Sequence, residues 1–264
     1  MMGPAHSLSG AAAWLGVGAG AAALGHAMPW PVLAAGALIC AGAALAPDLD
    51  HKSATISRAF GPFSRALCGV IDKLSTAVFN ATRAKGERKR SGGHRTLTHT
   101  WLWALMVGAG FSAAAVAGGR WAVLAILFVH MVLAVEGLLW RMARVSSDVL
   151  VWLLGATSAW ILAGILDQPG NGADWLFTAP GQEYLWLGLP IVLGALVHDI
   201  GDSITISGCP VLWPVPIAGK RWYPLGTPRF MRFRAGAWVE MKLLMPLFAL
   251  AGTASTLYAL GVVG

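Results

Sequence analysis

GGHRTLTHTWLWALMVGAG, residues 92–110, sets His94, Arg95, His99 and a series of threonines against the start of an apolar run. The run reads as a helix in lipid, where each backbone group must be satisfied inside its own segment. Its polar mouth is the anomaly. Ionisable side chains near a bilayer interior cost roughly 2.5–3.5 kcal/mol each on insertion scales, so they do not gather there without a task. The positions of the other histidines and aspartates decide what that task is.

Of 264 residues, 56% are hydrophobic and 12% charged, so most of the surface must face something other than water. Apolar stretches fall at 9–26, 30–46, 97–118, 121–140, 149–166, 183–203 and 237–262. Each approaches the roughly 20 residues that a bilayer crossing needs. The expected fold is therefore all-α, a polytopic transmembrane helix bundle of about seven spans, in a single integral membrane domain over 1–264. Met1 to Ser9 lacks the positive charge of a secretory leader, and the first stretch is read as a retained span. In GVGAGAAALG, 16–25, small residues recur four apart and predict close helix packing. Cys40, Cys68 and Cys209 are odd in number and have no metal-type spacing, which excludes a disulfide framework.

Charge orients the bundle. Basic residues crowd 47–95, follow the fourth span as Arg141 and Arg144, and recur over 220–234, while Arg120 stands alone on the other side. The positive-inside rule then puts the N-terminus and the basic segments in the cytoplasm and the C-terminus outside, in the inner membrane. The net charge of +7 is read as this orientation signal, and no nucleic acid is expected as a partner.

Two cytoplasmic segments stand out. In the insertion 52–90, Ile56, Phe60, Phe63, Leu67, Ile71, Leu74 and Val78 recur at helical spacing, with Arg58, Arg65 and Lys73 between them. Gly61-Pro62 should break this basic amphipathic helix near its beginning. It is expected either to lie in the headgroup layer or to pack on the bundle. The segment 209–235, rich in Pro, Trp and Arg, is expected to form an ordered loop over a cleft.

The polar clusters share one depth. His6 precedes the first span; Asp48, Asp50 and His51 follow the second; His94 and His99 open the third; His198, Asp199 and Asp202 close the sixth. All should converge at the cytoplasmic end. Imidazole and carboxylate ligands drawn from several elements suit zinc or a similar divalent transition metal, with room for more than one ion. His198 and Asp202, four apart, share a helix face and can hold one ion. Asp199 points about 100° away, as a hydrogen-bond acceptor for a histidine or a ligand to a neighbouring ion. Asp48 and Asp50 should share a face of an extended turn after Pro47. Arg95 is placed to bind a phosphate, Thr96 to cap the third span and Thr98 to support a ligand. Glu136 is a candidate to join the site, Glu240 pairs or snorkels, and His130 makes an interhelical hydrogen bond.

PDLDH, GGHRTLTHT and HDIGDSITISG, in that order between apolar spans, resemble the YdjM-like family of inner-membrane proteins classed as metal-dependent hydrolases. That family is in turn distantly similar to the zinc-dependent phospholipase C and P1 nuclease group. The resemblance implies metal ligation by His6, Asp48 or Asp50, His94 or His99, His198 and Asp202, and hydrolysis of a phosphoester. The sequence has no HExxH, G-x-S-x-G or GxxxxGK[ST] motif, so zinc-protease, serine-hydrolase and P-loop chemistries are disfavoured. The leading expectation is a membrane-bound metal-dependent hydrolase cleaving a phosphoester of a membrane lipid or amphiphile. The alternatives are a metal-ion transporter or sensor using the same ligands, and a scaffold with a structural metal.

Overall fold

The computed structural model describes residues 1–139, 142 and 147–263; among these the chain is helical and has no strand. Arg141 and Arg144, read above as orientation signals, lie outside the described residues. The chain opens with α1 (Gly3–Ala23) and α2 (Trp30–Ala43). Short α3 (Ile56–Ala59) and α4 (Gly61–Thr82) follow, then α5 (Trp101–Leu138), α6 (Asp148–Leu166), α7 (Gly188–Ser203) and α8 (Met245–Ala259). Among the described residues, five helical stretches are long and apolar enough to cross a membrane: Trp30–Asp50, Trp101–Leu138, Asp148–Leu166, Leu185–Ser203 and Val239–Ala259. Leu150, Leu153, Trp160 and Ile161 of α6 and Leu247, Leu250 and Leu257 of α8 are exposed, forming an apolar belt of the kind acyl chains cover.

α5 is not one rod. Gly119 adopts φ 54° and ψ −146°, outside the helical region, and the chain folds back there. The rings of Phe111 and His130 consequently meet, with centroids 5.5 Å apart. A straight helix would separate those positions by roughly 28 Å at 1.5 Å per residue. α5 thus supplies two arms, 101–118 and 120–138, where the sequence places two stretches.

One pole of the bundle collects polar residues and the other is aromatic. The start of α1, the end of α2, both ends of α5, the start of α6 and the end of α7 share the polar pole. At the opposite pole Trp14, Trp175 and Trp186 pack together, and Arg120 faces Asp167 at 3.7 Å.

Register between α1, α2 and α7 is set by backbone contact. The carbonyl of Cys40 lies against Gly10 of α1 and Gly194 of α7, so a Cβ added at either would stand 2.6 or 2.5 Å from its oxygen. Only a glycine on each neighbour permits that approach. His6 lies one turn before Gly10 and His198 one turn after Gly194. The two backbone contacts therefore carry these imidazoles into a ring stack, with centroids 3.8 Å apart.

α4 packs on the bundle, against the turns at 46–50 and 97–99, through small residues and, near its end, Phe79. Ser64, Cys68, Ser75 and Phe79 face the protein, while Phe63, Leu67, Val70 and Leu74 are exposed. Small side chains on the inner face let the helix lie close to the turns it covers. The break before α4 falls at Gly61, with φ 58°. Segment 209–235 is irregular; its Trp213 and Trp222 stack against each other, and Trp222 meets the ring of Phe79 of α4 at a tilt.

Gly194→Ala should force α7 off α2 and cost about 1–3 kcal/mol, as overpacking does. Gly16→Ala, with nothing within 4 Å of the added carbon, is the control. Thermal unfolding in detergent checks this; equal midpoints for both variants would show that the contact does not set the packing.

Candidate metal centre

Three segments carry the candidate ligands, and each is held by its local sequence. Past α2, Pro47 starts the 3-10 turn Ala46–Asp50, which is tighter than the extended turn expected from the sequence. Asp48 and Asp50 nevertheless approach one another. The wall 93–99 is docked on α4. A Cβ at Gly93 would lie 2.6 Å from the Asp72 carbonyl oxygen, and the Gly93 N–H donates to Asp72 Oδ1 at 2.7 Å. The glycine before His94 is thus a contact requirement. Thr96 is buried and donates to the Gly93 carbonyl, so it does not cap α5 as expected. Thr100 does, accepting from the Trp103 N–H at 3.2 Å. From α7, His198 and Asp202 project on one face.

Asp48, His99, His198 and Asp202 each offer an atom within 4.8 Å of the others. His99 Nε2 is 3.3 Å from His198 Nε2, 3.6 Å from Asp48 Oδ1 and 3.7 Å from Asp202 Oδ2. His198 Nε2 is 3.7 Å from Asp48 Oδ1 and 3.8 Å from Asp202 Oδ2. These are five edges of a tetrahedron, and the sixth, between the two carboxylates, is within 4.8 Å. With edges of about 3.6 Å its centre lies about 2.2 Å from every corner, which matches the roughly 2.0–2.2 Å of zinc–nitrogen and zinc–oxygen bonds.

The hydrogen bonds turn both Nε2 atoms inward. His198 Nδ1 lies 2.8 Å from the Ala44 carbonyl, which can only accept, so the ring proton is on Nδ1. Thr98 Oγ1 donates to Asp50 Oδ2 at 2.6 Å and so accepts from His99 Nδ1 at 3.0 Å. Each imidazole is therefore oriented through its outer nitrogen, as metal-binding histidines usually are.

A second group joins Asp48 to Asp50 and His94, whose Nδ1 is 2.9 Å from Asp50 Oδ1. Asp48 belongs to both groups and could bridge two ions. His6 lies outside them. It is buried and stacked on His198, with Nε2 3.3 Å from Asp202 Oδ1 and no hydrogen-bond partner on either nitrogen. His51 is exposed, contacts Ser53 Oγ at 3.0 Å and is in neither group. Asp199 is completely buried, and both of its carboxylate oxygens lack a partner.

Arg95 reaches Asp202 Oδ2 at 2.7 Å and Thr205 Oγ1 at 3.2 Å. Its φ of 57° is one that non-glycine residues rarely adopt, and these contacts hold it there. Glu136 lines the adjoining cleft without joining either group. Glu240 accepts from the Met2 and Gly236 N–H groups at 2.5 and 2.7 Å, and so secures the start of the chain. His130 contacts the Ile126 carbonyl in its own helix at 2.7 Å.

The electrostatics favour a cation. Burial pushes the His99 imidazole down, but Asp48, Asp50 and Asp199 outweigh it and hold it up at about 9. Cys209, whose Sγ donates to the Asp199 carbonyl at 3.1 Å, is pushed up by burial, so its thiol stays protonated and unreactive.

The cluster is also accessible. Asp48 keeps 24% of its side chain exposed, and with Asp202 it lines a cleft of about 630 Å³. Fold and site together define a membrane-embedded helical protein with a buried His/Asp cluster able to hold a metal ion at one pole. The family model described as YdjM inner membrane protein matches residues 1–263, and the chain belongs to that family. No curated protein and no solved structure matches it, so the comparisons lend nothing to the further likeness to the phospholipase C and P1 nuclease group.

Thr98→Val would remove the link between His99 and Asp50 while keeping the shape of the side chain. Metal affinity in a chelator competition should fall roughly 10–100-fold, the usual effect of losing a ligand's supporting hydrogen bond. Unchanged affinity would mean that His99 is not a ligand.

Proposed function

We propose that this protein is a multi-pass inner-membrane hydrolase that uses a divalent transition metal, zinc fitting best, to cleave a phosphoester of a lipid or amphiphile. The tetrahedral spacing of Asp48, His99, His198 and Asp202 on the floor of a large cleft is the observation that carries this reading. A purely structural zinc site is normally closed by its four ligands, whereas Asp48 here opens to the cleft. An ion of this type supplies Lewis acidity, acidifying water and polarising a phosphoryl oxygen. The protein's own residues do the positioning. Ala44 and Thr98 fix the two imidazoles. Arg95, beside Asp202, sets a fixed cation where phosphoryl oxygens would gather. Asp199, buried beside the cluster with neither oxygen hydrogen-bonded, is the carboxyl group left free to support it.

Transport fits less well. Among the described residues, those buried toward the other pole are mostly apolar, among them Ile39, Leu127, Trp14 and Trp186, and the buried His130 is bonded to its own helix, so an ion finds few further ligands.

The proposed topology counts α1 and both arms of α5 as spans, about seven in all. The cluster then lies at the cytoplasmic leaflet with the basic segment 85–90, and Arg120 lies outside. Reporter fusions check this: a site at residue 87 should report inside and one at residue 119 outside, and the reverse would overturn the orientation.

Purified protein should contain a transition metal and hydrolyse a member of a panel of phospholipid and lipid-phosphate substrates. His198→Ala combined with Asp202→Ala should abolish both, with helix content unchanged by circular dichroism. Hydrolysis at wild-type rate by the double variant would refute the reading.

A further inference from the structure

His94 and Arg95 form a wall between two clefts. On one side is the cleft over the ligand cluster. On the other is a cavity of about 590 Å³, within the size range of small-molecule sites. Arg88, Lys89, Arg90 and Lys220 join Arg95 in lining it, against the ring faces of Phe79 and Trp222.

Glu87 is the carboxylate in that lining, but its charge is spent elsewhere. Its Oε1 accepts the Trp222 N–H at 2.9 Å, and its Oε2 accepts the Ala84 N–H at 2.7 Å and the Arg221 N–H at 3.3 Å. The same bonds tie the 84–90 rim to the 220–222 rim. Arg90 is fixed as well. Its backbone exchanges hydrogen bonds with the Asn80 amide at 2.8 and 3.0 Å, and its guanidinium lies 5.1 Å from the Phe79 ring centroid. Among the described residues, the ion pairs that lysine and arginine make with carboxylates are Arg95–Asp202 and Arg120–Asp167. Arg88, Lys89, Arg90 and Lys220 therefore make no ion pair, and the single charge of Glu87 does not balance them. Cations brought together on tied rims repel one another, and an anion of several charges relieves that repulsion.

We propose that this cavity binds a phosphoryl group of the same ligand whose ester lies at the cluster, so that the substrate carries at least two phosphoryl groups. The link to the cluster rests on the hydrolase reading; the anion site itself does not. The Arg95 guanidinium, which lines both clefts, would lie between the two phosphoryl groups.

The test uses full-length protein in detergent, stripped of metal with chelator so that the cluster cannot hold the probe through an ion. Inorganic pyrophosphate should bind, by calorimetry, at least about tenfold more tightly than inorganic phosphate, as paired charge-assisted contacts predict. Arg88→Gln, Lys89→Gln and Lys220→Gln together should lose that preference, while His198→Ala with Asp202→Ala should keep it. The first variant should still take up metal, which shows that it folds. A lipid with a diphosphate headgroup should bind and be displaced by pyrophosphate; binding of pyrophosphate without the lipid would assign the site to a soluble ligand. Equal binding of phosphate and pyrophosphate, or full retention by the triple variant, would overturn the proposal. So would tighter binding of a short oligonucleotide than of either lipid or pyrophosphate. Failure of the hydrolase reading looks different, as a double variant that keeps its metal or its activity.

Discussion

The Cys40 carbonyl, touched from both sides by glycine backbone, fixes how deep α1 and α7 sit against α2. The positions of the polar groups follow from that depth. One turn beyond the contact, the Ala44 carbonyl takes the His198 proton, and the turn that follows carries Asp48 and Asp50. A slip of one residue between α2 and α7 would rotate His198 about 100° away from the quartet. The same slip would leave the Ala44 carbonyl without the proton it now accepts, in surroundings where unmet backbone groups are costly. Packing and chemistry are locked to one register.

Within that frame the cluster is electrostatically unbalanced. Asp48, Asp50, Asp199 and Asp202 surround imidazoles that are neutral at their ordinary values, and burial withholds the water that would stabilise the charges. The raised His99 imidazole is the expression of that crowding of carboxylates. Carboxylates kept together in a membrane-embedded bundle call for positive charge beside them. Arg95 supplies part of that charge, leaving a deficit suited to a small multivalent ion.

Much of this was legible in the sequence. The apolar runs gave the helices, and the shared depth of the histidines and aspartates gave the pole where they meet, because span ends are readable from composition. What periodicity could not read was contact made by small residues. The inner face of α4 is built from Ser64, Cys68 and Ser75, whereas the larger apolar residues marked as its face include Phe63 and Leu74, which are exposed. Thr96 and Thr100 are equivalent cap candidates by type. The choice between them falls to Thr100 because Gly93 must dock on α4 first, drawing Thr96 inward. His51 and His94 are likewise similar in sequence context, but only His94 reaches an aspartate, since His51 lies past the 3-10 turn and faces outward.

The quartet also has a history in time. Its members come from the end of α2, the wall before α5 and the last turn of α7, so no fragment ending before Asp202 can enclose an ion. Any ion the quartet holds could be enclosed only after α7 has inserted and closed on α2, so the cluster is completed late in assembly.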